Sequence, residues 1–147
     1  MKRVLKEDAE FIWDEGQQTA LQKIKDTITS QTVLAFFDSK KEDRLEVDTI
    51  RFGLGAAIFQ KDKPVAYASK SMTSAKQNCA QIEKKLCAIL IGCRKFHQYL
   101  YGQEITVHSV YKPLESITKK PPAAASPRLH RMLLQLQKYN LKIIHFP

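Results

Sequence analysis

Apolar and polar residues change their spacing several times along the chain, and each change marks a predicted element. Across EFIWDEGQQTALQKIKDTITS, Ala20, Leu21, Ile24 and Ile28 recur at helical spacing. Asp14 and Glu15 suit the positive end of a helix dipole, so a helix is predicted from about Asp14. VLAFFD then reads as a short apolar link and SKKEDR as a charged break. RLEVDTI, GLGAAIFQ and PVAYASKSM follow, three runs rich in β-branched and aromatic residues separated by RF and KDK, which predict an antiparallel meander. Gly53 and Gly55 have no third glycine and no helix after them, so they read as glycines of a sheet rather than of a phosphate loop. From Ser74 to Tyr101 the spacing lengthens to three and four. Ile82, Leu86, Ile89, Leu90, Cys93, Phe96 and Leu100 predict one long amphipathic helix that Gly102 closes. EITVHSV is a fourth strand, and Pro113 opens a short helix to about Ile117. PPAAASP at 121–127 is a loop, PRLHRMLLQLQKY another helix, and LKIIHF a last strand.

That order, a helix, three strands, a long helix, a strand, two helices and a strand, predicts α/β architecture. A meander followed by β-α-β crossovers gives a mixed five-stranded sheet with helices on its faces, preceded by an N-terminal helical connector. The connector is placed at residues 1–43, its helix over about 14–30, and the sheet domain at 44–147.

The length of 147 residues suits one domain with a real apolar core plus an arm. With 44% hydrophobic and 27% charged residues the composition is that of a globular chain, not a disordered one. No apolar run approaches the ~20 residues that span a bilayer, and the strongest is LCAILIGC at 86–93. MKRVLKEDAEF has basic residues with no hydrophobic region after them, which is not a secretory signal. The expected setting is therefore intracellular, cytoplasmic or nuclear, with no membrane partner. Cys79, Cys87 and Cys93 contain no C-x-x-C pair and indicate neither a disulfide framework nor a zinc knuckle; they read as buried free thiols. The four histidines, His97, His108, His130 and His145, show no metal spacing.

Charge changes the picture more. Residues 1–43 carry seven Lys/Arg against nine Asp/Glu, a net of −2, while 44–147 carry seventeen against six, a net of +11. A domain of that size with such an excess attracts polyanions, nucleic acid first.

Several blocks together carry a resemblance. FIWDEGQQTALQKIKDTITSQTVLAFFD resembles the segment joining polymerase to nuclease in gypsy-type retrotransposon Pol polyproteins. LEVDTIRFGLGAAIFQKDKPVAYASKSM resembles the first three strands of their ribonuclease H domain, and QNCAQIEKKLCAILIGCRKFHQYLYG its long helix. ITVHSVYKPLESI resembles its fourth strand and turn, and PRLHRMLLQLQKYNLKIIHFP its later helix and last strand. The resemblance spans residues 5–147 in order. It implies a ribonuclease H-like fold within a reverse-transcriptase polyprotein, acting on RNA paired to DNA. It also implies two-metal phosphodiester hydrolysis, with carboxylates holding two Mg²⁺ ions roughly 3.5–4 Å apart. Mg²⁺ needs anionic oxygen ligands, so what matters is which carboxylates remain.

Where the family has Asp-Ala-Ser on its first strand, this chain has Asp48-Thr49-Ile50, so Asp48 is kept as a remnant metal ligand. The second ligand belongs to a pattern like Glu-Lys-Glu-Leu-x-Ala-Ile. Glu83-Lys84-Lys85-Leu86-Cys87-Ala88-Ile89 stands there, with Lys85 in the ligand position. Glu83 is two residues away, ~200° around a helix, and reads as solvated on the other flank. The third ligand belongs to Thr-Asp-His-Lys-Pro-Leu, where Ser109-Val110-Tyr111-Lys112-Pro113-Leu114 puts Val110 in place of the acid. The fourth lies in the family beyond the last strand, in a C-terminal segment that this chain, ending at Pro147, is expected to lack.

One carboxylate of four does not hold two divalent cations. The sequence therefore predicts a catalytically inactive domain that uses no metal cofactor, with the Lys85 ammonium paired to Asp48 in the vacated space. Arg51, Lys70, Lys85, Lys112, Arg128 and Arg131 are its candidate nucleic-acid contacts, an RNA–DNA hybrid the expected ligand. The alternatives are a scaffold with protein partners, like the connection region of retroviral reverse transcriptases, and a nuclease still active through other ligands.

Overall fold

The computed structural model describes residues 11–30, 33–119 and 126–146. The reading of the first ten residues as no signal, and most of the PPAAASP loop, fall outside them. The chain divides into two compact units at Leu34/Ala35.

The first unit is built on helix α1, Glu15–Thr29. Asp14 is its N-cap: the Asp14 carboxylate accepts from the backbone N–H groups of Gly16 and Gln17, and the Gln17 side chain accepts from the Asp14 N–H. This reciprocal capping box satisfies backbone donors that a helix start leaves orphaned. The helix buries none of its residues.

The second unit begins at Ala35, ahead of the expected residue 44. Its link is tied to the sheet: Gln60 Oε1 accepts from the Asp38 N–H, and the Phe37 and Tyr99 rings meet at 4.9 Å. Strands β1 (Asp43–Ile50), β2 (Gly53–Gln60) and β3 (Lys63–Ser71) form the predicted meander. The turn into β3 is Lys61–Asp62, both at positive φ. After it come helices α2 (Ser74–Gln77), α3 (Gln81–Lys95) and α4 (His97–Leu100), strand β4 (Glu104–Ser109), helices α5 (Pro113–Thr118) and α6 (Pro127–Leu136), and strand β5 (Asn140–His145). The single long helix expected over 74–101 is thus three pieces. Ala80 is extended at φ −57°, ψ 148°, and Phe96, at φ −102° and ψ 20°, departs from helical geometry between α3 and α4. Periodicity survives these breaks because the same side of the segment faces the core on either side of them.

The sheet order is β3-β2-β1-β4-β5, with β4 and β5 parallel to β1 and the meander antiparallel. Ile58, Leu45, Val107 and Ile143 lie in register across four strands and are all buried. Leu86, Ile89 and Cys93 of α3, Leu114 of α5 and Leu129, Leu133 and Leu136 of α6 complete that core. Gly92 lets α3 close onto the sheet, since a Cβ there would meet Ala56 Cβ at 3.2 Å and Leu45 Cδ1 at 3.4 Å.

Candidate functional site

The pairing of β1 with β4 ends at Glu46↔His108. Beyond that point the carboxyl ends of two adjacent parallel strands have no ladder between them, the place where open α/β sheets keep their sites. Asp48 is two residues past Glu46, and Val110 two past His108, so one motif position from each strand borders the gap. Both line a concavity on the outer sheet face, together with Tyr67, His108 and Phe146. Gly55 lies opposite Asp48 on β2, so no side chain fills the space on that flank.

Lys85 enters from α3. Its Nζ donates to Asp48 Oδ1 at 2.8 Å, the contact expected from the sequence. The two ends of the pair differ in setting: the Lys85 side chain is 5% exposed and that of Asp48 75%. The same Oδ1 accepts from the Thr49 N–H at 2.7 Å. The Lys85 hydrogen bond, opposed by partial desolvation and helped by Thr49, holds the Asp48 carboxyl below its ordinary value. Val110, 65% exposed, contributes no ligand atom. The residues around it have structural roles. Ser109 Oγ accepts from the Tyr111 N–H, the Ser109 carbonyl accepts from the Phe146 N–H, and Pro113 opens α5.

A two-metal centre does not fit these residues. An ammonium sits 2.8 Å from the Asp48 carboxylate, where a cation would have to bind. Among the described residues no group of three His, Cys, Asp or Glu is arranged to hold a metal.

The candidate cations fall in different places. Lys70, Arg128 and Arg131 line one groove between α3 and α6. Arg51 sits on the β1–β2 turn with its guanidinium 5.2 Å from the Phe52 ring, outside that groove, and Lys112 is exposed ahead of α5. Lys85, expected among the contacts, is buried and bound to Asp48. Glu83, expected to be solvated, is 17% exposed and faces Arg128 at 3.5 Å, because α6 comes alongside that flank of α3. The groove also holds Lys76, Lys84 and Arg94, which sequence reasoning missed. The signal was available, since Lys84, Cys87, Ile91 and Arg94 repeat at spacings of three and four on one helix face.

A family described as the RNase H-like domain found in reverse transcriptase matches residues 13–107. The chain belongs to that family. The Retrovirus-related Pol polyprotein from transposon 412 of Drosophila melanogaster is 30% identical over 145 residues, covering 96% of this chain and 12% of the polyprotein. That from transposon gypsy, of the same fly, is 28% identical over 137 residues, 92% of this chain and 13% of its own length. The chain thus spans a small fraction of the curated relatives it matches. Among solved structures, the foamy viral protease-reverse transcriptase dRH in complex with double-stranded DNA has a TM-score of 0.70 at 21% identity, over 95% of this chain and 27% of that one. The foamy viral protease-reverse transcriptase in complex with RNA/DNA hybrid has a TM-score of 0.65 at 21% identity, over 91% and 19%. Both similarities concern the fold.

Proposed function

We propose that this RNase H-like domain of a retroelement reverse transcriptase does not hydrolyse phosphodiesters and serves instead to bind nucleic acid, an RNA–DNA hybrid in particular. The observation that carries the reading is the Lys85–Asp48 contact at 2.8 Å. At that position a metal site needs a second carboxylate; a lysine reverses the local charge and supplies a cation covalently. The net of +11 over residues 44–147 supports an electrostatic attraction to phosphates. Foamy viral relatives of the fold have been captured with duplex DNA and with hybrid. No described helix is long and apolar enough to cross a membrane.

The test is incubation of the full chain with a labelled hybrid and Mg²⁺ or Mn²⁺. Binding that weakens steeply with salt, and no cleavage, is the expected result. Cleavage abolished by Asp48→Asn would refute it. The double variant Lys85→Glu/Val110→Asp restores two carboxylates beside Asp48 and is the companion in which metal binding is expected to reappear. A second reading, a scaffold with a protein partner, is favoured by one feature: Val110, Phe146 and Tyr67, 65%, 57% and 42% exposed, all line the concavity on the outer sheet face. Hybrid binding absent at low salt would select it.

A further inference from the structure

The groove between α3 and α6 has a volume of about 310 Å³, and neither Asp48 nor Lys85 is among its described lining residues. Lys70, Lys76, Lys84, Arg94, Arg128 and Arg131 line it, and Glu83 is the single acid among its described lining residues. Arg128 is held in place by Glu83 and by Cys79 Sγ, the latter 2.8 Å from its Nη1, and Arg94 donates to Gln135 Oε1. Lys70, Lys76, Lys84 and Arg131 form no ion pair among the described residues. We propose that this groove is a sequence-independent track for the sugar–phosphate backbone of one nucleic-acid strand. The inference rests on the reading of the domain as a nucleic-acid binder and assigns where the strand lies.

Three properties set the ligand class. Lys84 and Arg94 are ten residues apart on α3, about 15 Å along the axis, enough for a few successive phosphates of one strand. No aromatic ring is among the groove's described lining residues, so these offer phosphate contacts without base stacking and read no sequence. Leu54, Leu90 and Ile91 add an apolar part to its lining, and its volume of about 310 Å³ suits part of one strand rather than a whole duplex.

The groove carries its own reporters. Cys79 and Cys87 line it and are part-exposed, whereas Cys93 is buried with its thiol pushed up to about 12. The experiment measures alkylation of each cysteine in the full chain by mass spectrometry, with and without a mixed-sequence single-stranded oligonucleotide at low salt. The strand is expected to slow modification of Cys79 and Cys87 about fivefold or more and to leave Cys93 silent throughout. Binding by the same oligonucleotide is expected to weaken about tenfold in Lys84→Gln/Arg131→Gln, with the slope of log affinity against log salt reduced by roughly 1.4. The exposed pair Lys63→Gln/Lys142→Gln removes the same charge away from the groove and is expected to change affinity by less than about threefold. Equal weakening by both pairs would overturn the track. Hybrid or strand binding that leaves Cys79 and Cys87 unprotected would overturn the location while leaving nucleic-acid binding standing. Absence of any binding would overturn both.

Discussion

Lys85 and Asp48 are unequal partners, one 5% and the other 75% exposed, and removing each has a different consequence. Asp48→Ala leaves a buried ammonium without its carboxylate and is expected to cost roughly 1–3 kcal/mol. Lys85→Met replaces the ammonium with an apolar chain of similar reach while Asp48 returns to water, so stability is expected to stay within about 1 kcal/mol of the parent. Urea unfolding at pH 7 separates them, and equal losses would contradict the asymmetry. The pH dependence follows from the same contact. Because Lys85 lowers the Asp48 pKa in the native state, the stabilisation is complete above the ordinary value of 3.8 and disappears as pH falls through the lower native value. Asp43 has the opposite sign. It is 2% exposed, its Oδ2 has no partner, and burial raises its pKa despite the hydrogen bond from Gln60 Nε2 to Oδ1. Its ionisation therefore penalises folding increasingly as pH rises above the unfolded value. Asp43→Asn, which still offers Gln60 an acceptor, is expected to raise stability at pH 7 and to lose that advantage below pH ~4. The Lys85–Asp48 contact is legible in the sequence, because both residues fall in blocks that resemble the family's motifs. The settings of Asp43 and Glu83 are not, since they depend on Gln60 and on Arg128, far away in sequence.

At the scale of elements, all five strands follow from apolar runs and the turn residues between them, and every strand boundary falls within a residue or so of its run. Helix continuity is less legible. The apolar spacing from Ile82 to Leu100 passes through the break at Phe96 without a change, because spacing reports which side faces the core and not whether the backbone is continuous. Close packing is visible only in three dimensions. Gly92→Ala gains helix propensity of about 1 kcal/mol, yet the new Cβ presses on Ala56 and Leu45 across the α3–β1–β2 contact. A net loss of about 1–2 kcal/mol is expected in thermal unfolding. The β2–β3 turn is a place to gain. Lys61 and Asp62 hold φ of 49° and 60°, a conformation that Asn-Gly adopts more readily. Lys61→Asn/Asp62→Gly is expected to stabilise by roughly 0.5–1 kcal/mol, even with the exposed Arg44–Asp62 pair removed.

For the molecule as a whole, the core and the Asp48–Lys85 site have separate physical origins. Alternation along the strands and the α3 stripe build a core that includes none of positions 48, 85 and 110, so the sheet does not depend on what stands there. Charge organises the rest. The excess of basic residues is legible in composition, but the groove it forms is not, because Lys70 comes from β3, Lys84 and Arg94 from α3, and Arg128 and Arg131 from α6. Under the proposed function, the Lys85 ammonium occupies the space in which an active two-metal nuclease would hold a cation. A Mg²⁺ titration followed by NMR of the Asp48 carboxyl and the Lys85 ammonium tests it most directly. No saturable shift at either group up to about 10 mM Mg²⁺, with the Lys85–Asp48 contact intact, is the predicted result, since one exposed carboxylate already bound to a cation offers little to a hard dication. Saturation of the Asp48 signal at submillimolar Mg²⁺, with Lys85 displaced, would contradict it.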